Sequence, residues 1–246
     1  MNKIPVIKSQ IFENYAQIKF GFSTRIGGVS PYPYGMNLSF NVGDERVNVI
    51  KNRELFFGEL KIGLDELAIP QQVQGGTVKR VYVQGGYDEC DGLITNSYGV
   101  FLTVTTADCL PVFLFDPVTK SIGAVHAGWR GLLLNIVPTA IRMMWQEFRS
   151  FPENIKVFIA PAAGVCCYEI MDDVGSKFPE EFKVKSVKTF LDIKLYAKMQ
   201  LINSGVSESN IEISEYCTIC NPDLFHSHRR DKKKSGRMMG VIGLVR

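Results

Sequence analysis

Between Phe101 and His126 three short runs rich in Val, Phe, Ile and Thr follow one another with few polar residues between them. Residues 101–105, 112–115 and 121–126 read as strands, because β-branched and aromatic side chains pack well on a pleated surface. Asp116-Pro117 separates the last two runs. Proline presets φ and aspartate bonds to its own backbone, so these residues predict a turn that pairs the two strands antiparallel. Further strands are expected at 78–83, 156–160, 211–216 and 238–245. A helix is expected at 45–61, with Val47, Ile50, Phe57 and Leu60 at near-helical spacing and Asp44 as its N-cap. A second runs over 132–148, with Leu133, Ile136, Ala140, Met144 and Phe148 on one side, and Pro138 marks a kink or a first turn. A third covers 192–204, with Leu195, Met199 and Ile202 inward and Gly205 as its stop. Strands outnumber helices and cluster, which predicts an α+β fold, read as a single domain over residues 1–246.

Composition removes several classes of function. Lys+Arg total 28 against 25 Asp+Glu, a net charge of +3, which does not describe a dedicated nucleic-acid binder,. No apolar run approaches the roughly 20 residues that span a bilayer. The start, Met1-Asn2-Lys3-Ile4-Pro5, lacks the apolar stretch of a secretory signal, so a cytoplasmic protein is expected. The six cysteines are then expected to be thiols used for packing, metal or nucleophilic chemistry,. Only three histidines are present, His126, His226 and His228. Several imidazole-rich copper centres cannot be built from three, so a self-contained multicopper oxidase is excluded.

The chemistry concentrates in Thr105-Thr106-Ala107-Asp108-Cys109-Leu110-Pro111 and Gly123-Ala124-Val125-His126-Ala127-Gly128-Trp129-Arg130-Gly131. Cys109 and His126 end up at the rim of one sheet if the hairpin forms. Three readings follow: a buried thiol with a core histidine, a Cys/His nucleophilic pair, or two ligands of a zinc. Asp108 either orients His126 or caps a turn.

Other blocks accompany this pair: Phe22-Ser23-Thr24-Arg25 with Gly27-Gly28, Asn37-Leu38-Ser39 with Asn41-Val42-Gly43-Asp44, Gln72-Val73-Gln74-Gly75, and Ala160-Pro161-Ala162 with Cys166-Cys167-Tyr168-Glu169. Cys217-Thr218 and Phe225-His226-Ser227-His228-Arg229-Arg230-Asp231 with Gly236-Arg237 complete the set. In order and spacing these resemble the laccase-domain family, also described as multicopper polyphenol oxidoreductases or peptidoglycan editing factors. The resemblance implies a layered α/β/β/α sandwich of mixed β-sheets, grouped with cysteine-hydrolase-like folds. It also implies a zinc site formed by His, Cys and His, with copper disfavoured. The activity it implies is phosphorolysis of adenosine, inosine and methylthioadenosine, together with adenosine deamination. The carried-over ligands are Cys109 and His126, while the remaining position, expected to be His, holds Gln74. A glutamine oxygen is a weaker zinc ligand than imidazole. Gln74 then ligates weakly, or His226 or His228 is recruited, or the metal is absent.

For a phosphate-consuming reaction, Arg25 and Arg229 or Arg230 are the candidate anion contacts. Asn37 and Asp44 are candidates for ribose or base, against plainer roles as turn former and helix cap. Cys217-Thr218-Ile219-Cys220 is a single C-x-x-C with no second pair at ribbon spacing, so packing is the expectation there. The basic run from His226 to Lys234 reads as a solvated loop rather than a nucleic-acid surface. Nucleoside and phosphate are the expected partners, with no nucleic acid and no membrane. Two other functions stay open: a Cys109/His126 amidase-type hydrolase editing a peptidoglycan precursor, and a non-catalytic binding relative.

Overall fold

The hairpin anticipated at Asp116-Pro117 lies at the centre of the molecule, in a computed structural model that describes residues 4–246. Met1-Asn2-Lys3, read above for its lack of a signal, lies outside the described residues. Leu110–Asp116 and Ser121–Ala127 pair antiparallel, with Leu110 opposite Ala127 and Pro111 opposite His126. Asp116 closes the turn, its carboxylate accepting from the Val118 N–H at 2.8 Å and the Thr119 hydroxyl at 2.9 Å.

Around this hairpin runs a six-stranded sheet in the order Ile211–Ile213, Lys156–Ile159, Leu110–Asp116, Ser121–Ala127, Gly92–Thr95, Val78–Arg80. A second six-stranded sheet has the order Val6–Ile7, Ile18–Ser23, Met238–Leu244, Phe101–Thr106, Leu67–Pro70, Gly85–Tyr87. Both sheets mix parallel and antiparallel pairs. A small antiparallel sheet joins Glu169–Ile170, Thr189–Leu191 and Lys183–Lys185.

The large sheets pack face to face. Phe20 and Phe22 meet Phe113 and Phe158 between them, with Phe20 edge-on to Phe113 and Phe158 at 5.0 and 5.3 Å between ring centroids. On the outer face of the hairpin sheet, Val112, Leu114 and Val125 pack against Ile136–Phe148 and Ile193–Asn203. On the outer face of the other sheet, Met239 and Val241 pack against Phe56 and Phe57 of the helix Arg46–Glu59. The result is the α/β/β/α layering. Central strands buried on both faces explain why 112–115 and 238–244 read as unbroken apolar runs rather than alternating ones.

Some local expectations shift. The helix Arg46–Glu59 is capped at Glu45, not Asp44, and it buries Val49, Phe56 and Phe57 while Val47 and Ile50 face out. Buried Asn52 selects that face, because its side-chain amide donates to the carbonyls of Gly35 and Asn37 and the hydroxyl of Ser30. The long helix expected at 132–148 is two, Trp129–Leu133 and Ile136–Phe148, broken at Asn135 in the left-handed region, with Pro138 in the first turn of the second. Ile193–Asn203 buries Ile193, Ala197, Gln200 and Leu201, and Met199 packs against the same core as expected, whereas Leu195 is exposed. The strands at 78–83 and 211–216 stop at Arg80 and Ile213. Among the described residues no helix is long and apolar enough to cross a membrane.

Candidate functional site

Register places the chemistry. Cys109 immediately precedes the strand Leu110–Asp116, and His126 sits one residue from the end of the partner strand, so both emerge at the same sheet rim. The two side chains lie within electrostatic reach of one another. Gly128 passes beside them: a Cβ there would lie 3.3 Å from the Cys109 sulfur and 3.8 Å from the His126 ring. A side chain larger than hydrogen would press on the pair.

The carboxylate that orients His126 is Asp91, not Asp108. Asp91 is fully buried and its Oδ1 meets His126 Nδ1 at 2.8 Å. Its backbone carbonyl accepts from the His126 N–H at 2.7 Å. The same carboxylate accepts from the backbone N–H groups of Val73, Gln74 and Gly75 at 3.1, 3.0 and 2.7 Å. One buried anion therefore positions both the imidazole and the loop that carries Gln74. Burial pushes the Asp91 carboxyl up, but His126 and the N–H groups of Gly75 and Val73 outweigh it and hold the group below its ordinary range,. Burial likewise favours neutral His126, but charge on the Cys109 sulfur and the bond to Asp91 prevail and raise the ring to about 9.

Asp108 does other work. It adopts φ of +86°. Its carboxylate accepts from the Thr218 and Ser227 hydroxyls at 2.7 and 3.0 Å and the Arg229 N–H at 2.7 Å. It ties the strand entry beside Cys109 to the C-terminal segment. Asp91 carries little local signal: it is a carboxylate just before the apolar run Leu93-Ile94.

A cleft of about 810 Å³ opens above the pair, lined in part by Gln74, Cys109, His126, His228, Arg53 and Arg237. None of Arg25, Asn37, Asp44, Arg229 and Arg230 lines it. The Arg25 guanidinium donates to the carbonyls of Pro222 and Pro33. Asn37 is buried and bonds to Ser39, Asp44 and the Arg237 N–H. Asp44 also accepts from Ser30. Arg229 donates to the Glu169 carbonyl and lies over the Tyr168 ring at 4.6 Å. Arg230 is spent on the Thr218, Ile219 and Phe225 carbonyls and Asp231. The cationic side chains that line the cleft are Arg53, which also lies over the Phe40 ring at 4.4 Å, and Arg237.

The implied zinc meets only part of what it needs. Asp91 holds His126 through Nδ1 and leaves Nε2 as the ring atom open to a metal, the usual support for a metal-binding imidazole,. Gln74 does not complete the set: it is exposed, and its side-chain oxygen accepts from Arg130 Nη1 at 3.1 Å. His226 is not recruited. It is fully buried, with both ring nitrogens lacking a partner among the described residues, and is pressed against Gly236. His228 lines the cleft. Among the described residues, though, its ligand atoms do not converge with those of Cys109 and His126, so the cleft offers one thiol, one imidazole and a glutamine oxygen held by a cation, which do not fit a three-ligand catalytic zinc. Elsewhere the side chains of Cys166, Cys167, Cys217 and Cys220 converge, their sulfurs all within 4.8 Å of one another, so four close cysteines can hold a metal ion. For Cys217 and Cys220, where packing was expected, this convergence adds a capacity to hold a metal.

This rim, cleft and paired-sheet sandwich define a class. Residues 19–245 match the family model described as multi-copper polyphenol oxidoreductase laccase. The chain belongs to that family. It is 31% identical over 255 residues to a Bacillus subtilis protein named purine nucleoside phosphorylase YlmD, covering 96% of this chain and 92% of that protein. It is 36% identical over 238 residues to a Deinococcus radiodurans protein named purine nucleoside phosphorylase, covering 93% and 90%. The crystal structure of YlmD from Geobacillus stearothermophilus superposes with a TM-score of 0.89 at 33% identity, over 97% of this chain and 94% of that one.

Proposed function

We infer that the cleft is the site of a purine nucleoside phosphorylase, with adenosine, inosine and methylthioadenosine as substrates alongside phosphate. The observation that carries this reading is the Asp91–His126–Cys109 row beneath a cleft lined by Arg53 and Arg237, in a chain that resembles proteins of that name. Phosphate is a divalent anion, and guanidinium groups are the side chains best matched to it. A phosphate oxygen attacks C1′ of the ribose as the bond from C1′ to the purine nitrogen breaks. The electron pair leaves with the base, which takes a proton from His126. Charge on the Cys109 sulfur and the Asp91 carboxylate keep that ring protonated near neutral pH,. Deamination of adenosine would call for an activated water, and the donor set gives no basis for deriving one through zinc.

The same row favours a second reading. A thiol, an imidazole and a buried carboxylate in sequence also describe a cysteine hydrolase, in which Cys109 attacks an amide carbon. One assay separates the two. Purified protein is incubated with inosine or adenosine, with and without phosphate, and free base and ribose 1-phosphate are followed. Phosphate-dependent release that falls by about 100-fold or more in His126→Ala supports the phosphorylase. No base release, with amide hydrolysis of a peptidoglycan precursor that Cys109→Ala abolishes, supports the hydrolase.

A further inference from the structure

We propose that Cys166, Cys167, Cys217 and Cys220 form a tetrathiolate zinc site, separate from the cleft, that joins the loop after the strand Lys156–Ile159 to the C-terminal segment. It does not depend on the phosphorylase reading. The cysteines come from two distant stretches of chain, and their sulfurs lie within 4.8 Å of one another, with Cys166 and Cys220 at 3.8 Å. Zinc–sulfur bonds of about 2.3 Å in a tetrahedron put sulfurs about 3.8 Å apart. The donor set is all sulfur, which selects zinc or iron–sulfur chemistry over hard cations.

The backbone is arranged for sulfur. At the turn Cys217-Thr218-Ile219-Cys220 the Gly164 N–H donates to the Cys217 sulfur at 3.2 Å. A backbone N–H aimed at a sulfur favours its thiolate form. Arg230 holds that turn from behind, donating to the Thr218 and Ile219 carbonyls at 3.0 and 2.9 Å. Gly164 leaves room beside the sulfurs: a Cβ there would lie 3.0 Å from Cys217 Cβ and 3.2 Å from the Cys166 sulfur. Lys194, anchored on the Ser214 and Tyr216 carbonyls, lies within electrostatic reach of three of the sulfurs. Four thiols binding one Zn²⁺ release four protons to solvent and leave a complex of charge −2, half of which that ammonium offsets. Cys166 and Cys220 are exposed, so the metal has a way in.

The site has a structural consequence. Ala162 bridges Cys217, and Asp108 ties Thr218 and Ser227 to the strand entry beside Cys109. A metal there would fasten the segment that brings His228 and Arg237 to the cleft.

The test begins with protein purified under reducing conditions without added metal, analysed by native mass spectrometry and elemental analysis. About one zinc per chain is expected. It should persist in a Cys109→Ala, His126→Ala double variant and be lost from Cys166→Ser, Cys220→Ser, whose exposed positions leave the core intact. Replacement by Co²⁺ should give thiolate-to-cobalt charge-transfer absorption and a tetrahedral ligand-field spectrum, both absent from Cys166→Ser, Cys220→Ser. Arg230→Met should weaken zinc affinity roughly 10- to 100-fold, as loss of a supporting partner does. Absence of metal, iron in place of zinc, a Cys166–Cys220 disulfide, or zinc lost with Cys109 instead would each overturn the proposal.

Discussion

Asp91 does more with one side chain than any other residue at the rim. It accepts three backbone N–H groups and the His126 ring with no exposure to solvent. Asp91→Asn keeps the shape but removes the charge and turns an acceptor into a donor. Breaking a buried, hydrogen-bonded ion pair costs on the order of 3 kcal/mol or more. Urea unfolding should show that loss, and an NMR titration should show the His126 pKa falling from about 9. His226 predicts the opposite behaviour. Burial, with the nearby Arg25, Arg237 and Arg230, depresses its pKa from 6.5 to about 3. The unfolded chain therefore takes up the proton first. Stability from this group is full above about 6.5 and is lost as pH falls toward 3,. Since neither ring nitrogen has a partner among the described residues, His226→Leu should flatten the acid side of the stability curve by a few kcal/mol, read as urea midpoints between pH 4 and 7,.

At the scale of elements, the contact between the two large sheets sets the tolerances. Gly240 faces Phe113 across that contact, and a Cβ there would lie 2.4 Å from the ring. Gly240→Ala should cost about 1–3 kcal/mol by overpacking, seen as a lower midpoint of thermal unfolding, with far-UV circular dichroism unchanged. The hairpin was legible because Asp116-Pro117 is local turn chemistry between two local apolar runs. The face of the helix Arg46–Glu59 was not. Val47 and Ile50 carry the right spacing, yet hydrogen bonding by Asn52 to a distant loop turns Val49, Phe56 and Phe57 inward. Periodicity reports that a stripe exists, and packing decides which one is used.

For the molecule as a whole, metal binding at the cysteine cluster and at the cleft must be measured apart. In a Cys166→Ser, Cys220→Ser background the wild-type residue Gln74 should leave the cleft with weak zinc binding. Gln74→His should raise zinc affinity by at least roughly tenfold, because an imidazole replaces an amide oxygen that Arg130 already occupies,. Isothermal titration with zinc checks the affinity, and ammonia release from adenosine checks whether deamination appears with it. Unchanged affinity in Gln74→His would show that the side chain at this position does not face the sulfur and imidazole.

By itself the order of residues determined the strand-rich class, the central hairpin and the meeting of Cys109 with His126, since each follows from neighbours in the chain or from the pairing of adjacent strands. Only the tertiary structure decided which carboxylate serves His126, which arginines line the cleft and where the four cysteines go. Asp91 lies 35 positions from His126, and Cys166 lies 54 from Cys220. Contacts at such separations are set by how sheets and loops close over one another, and no local spacing records them.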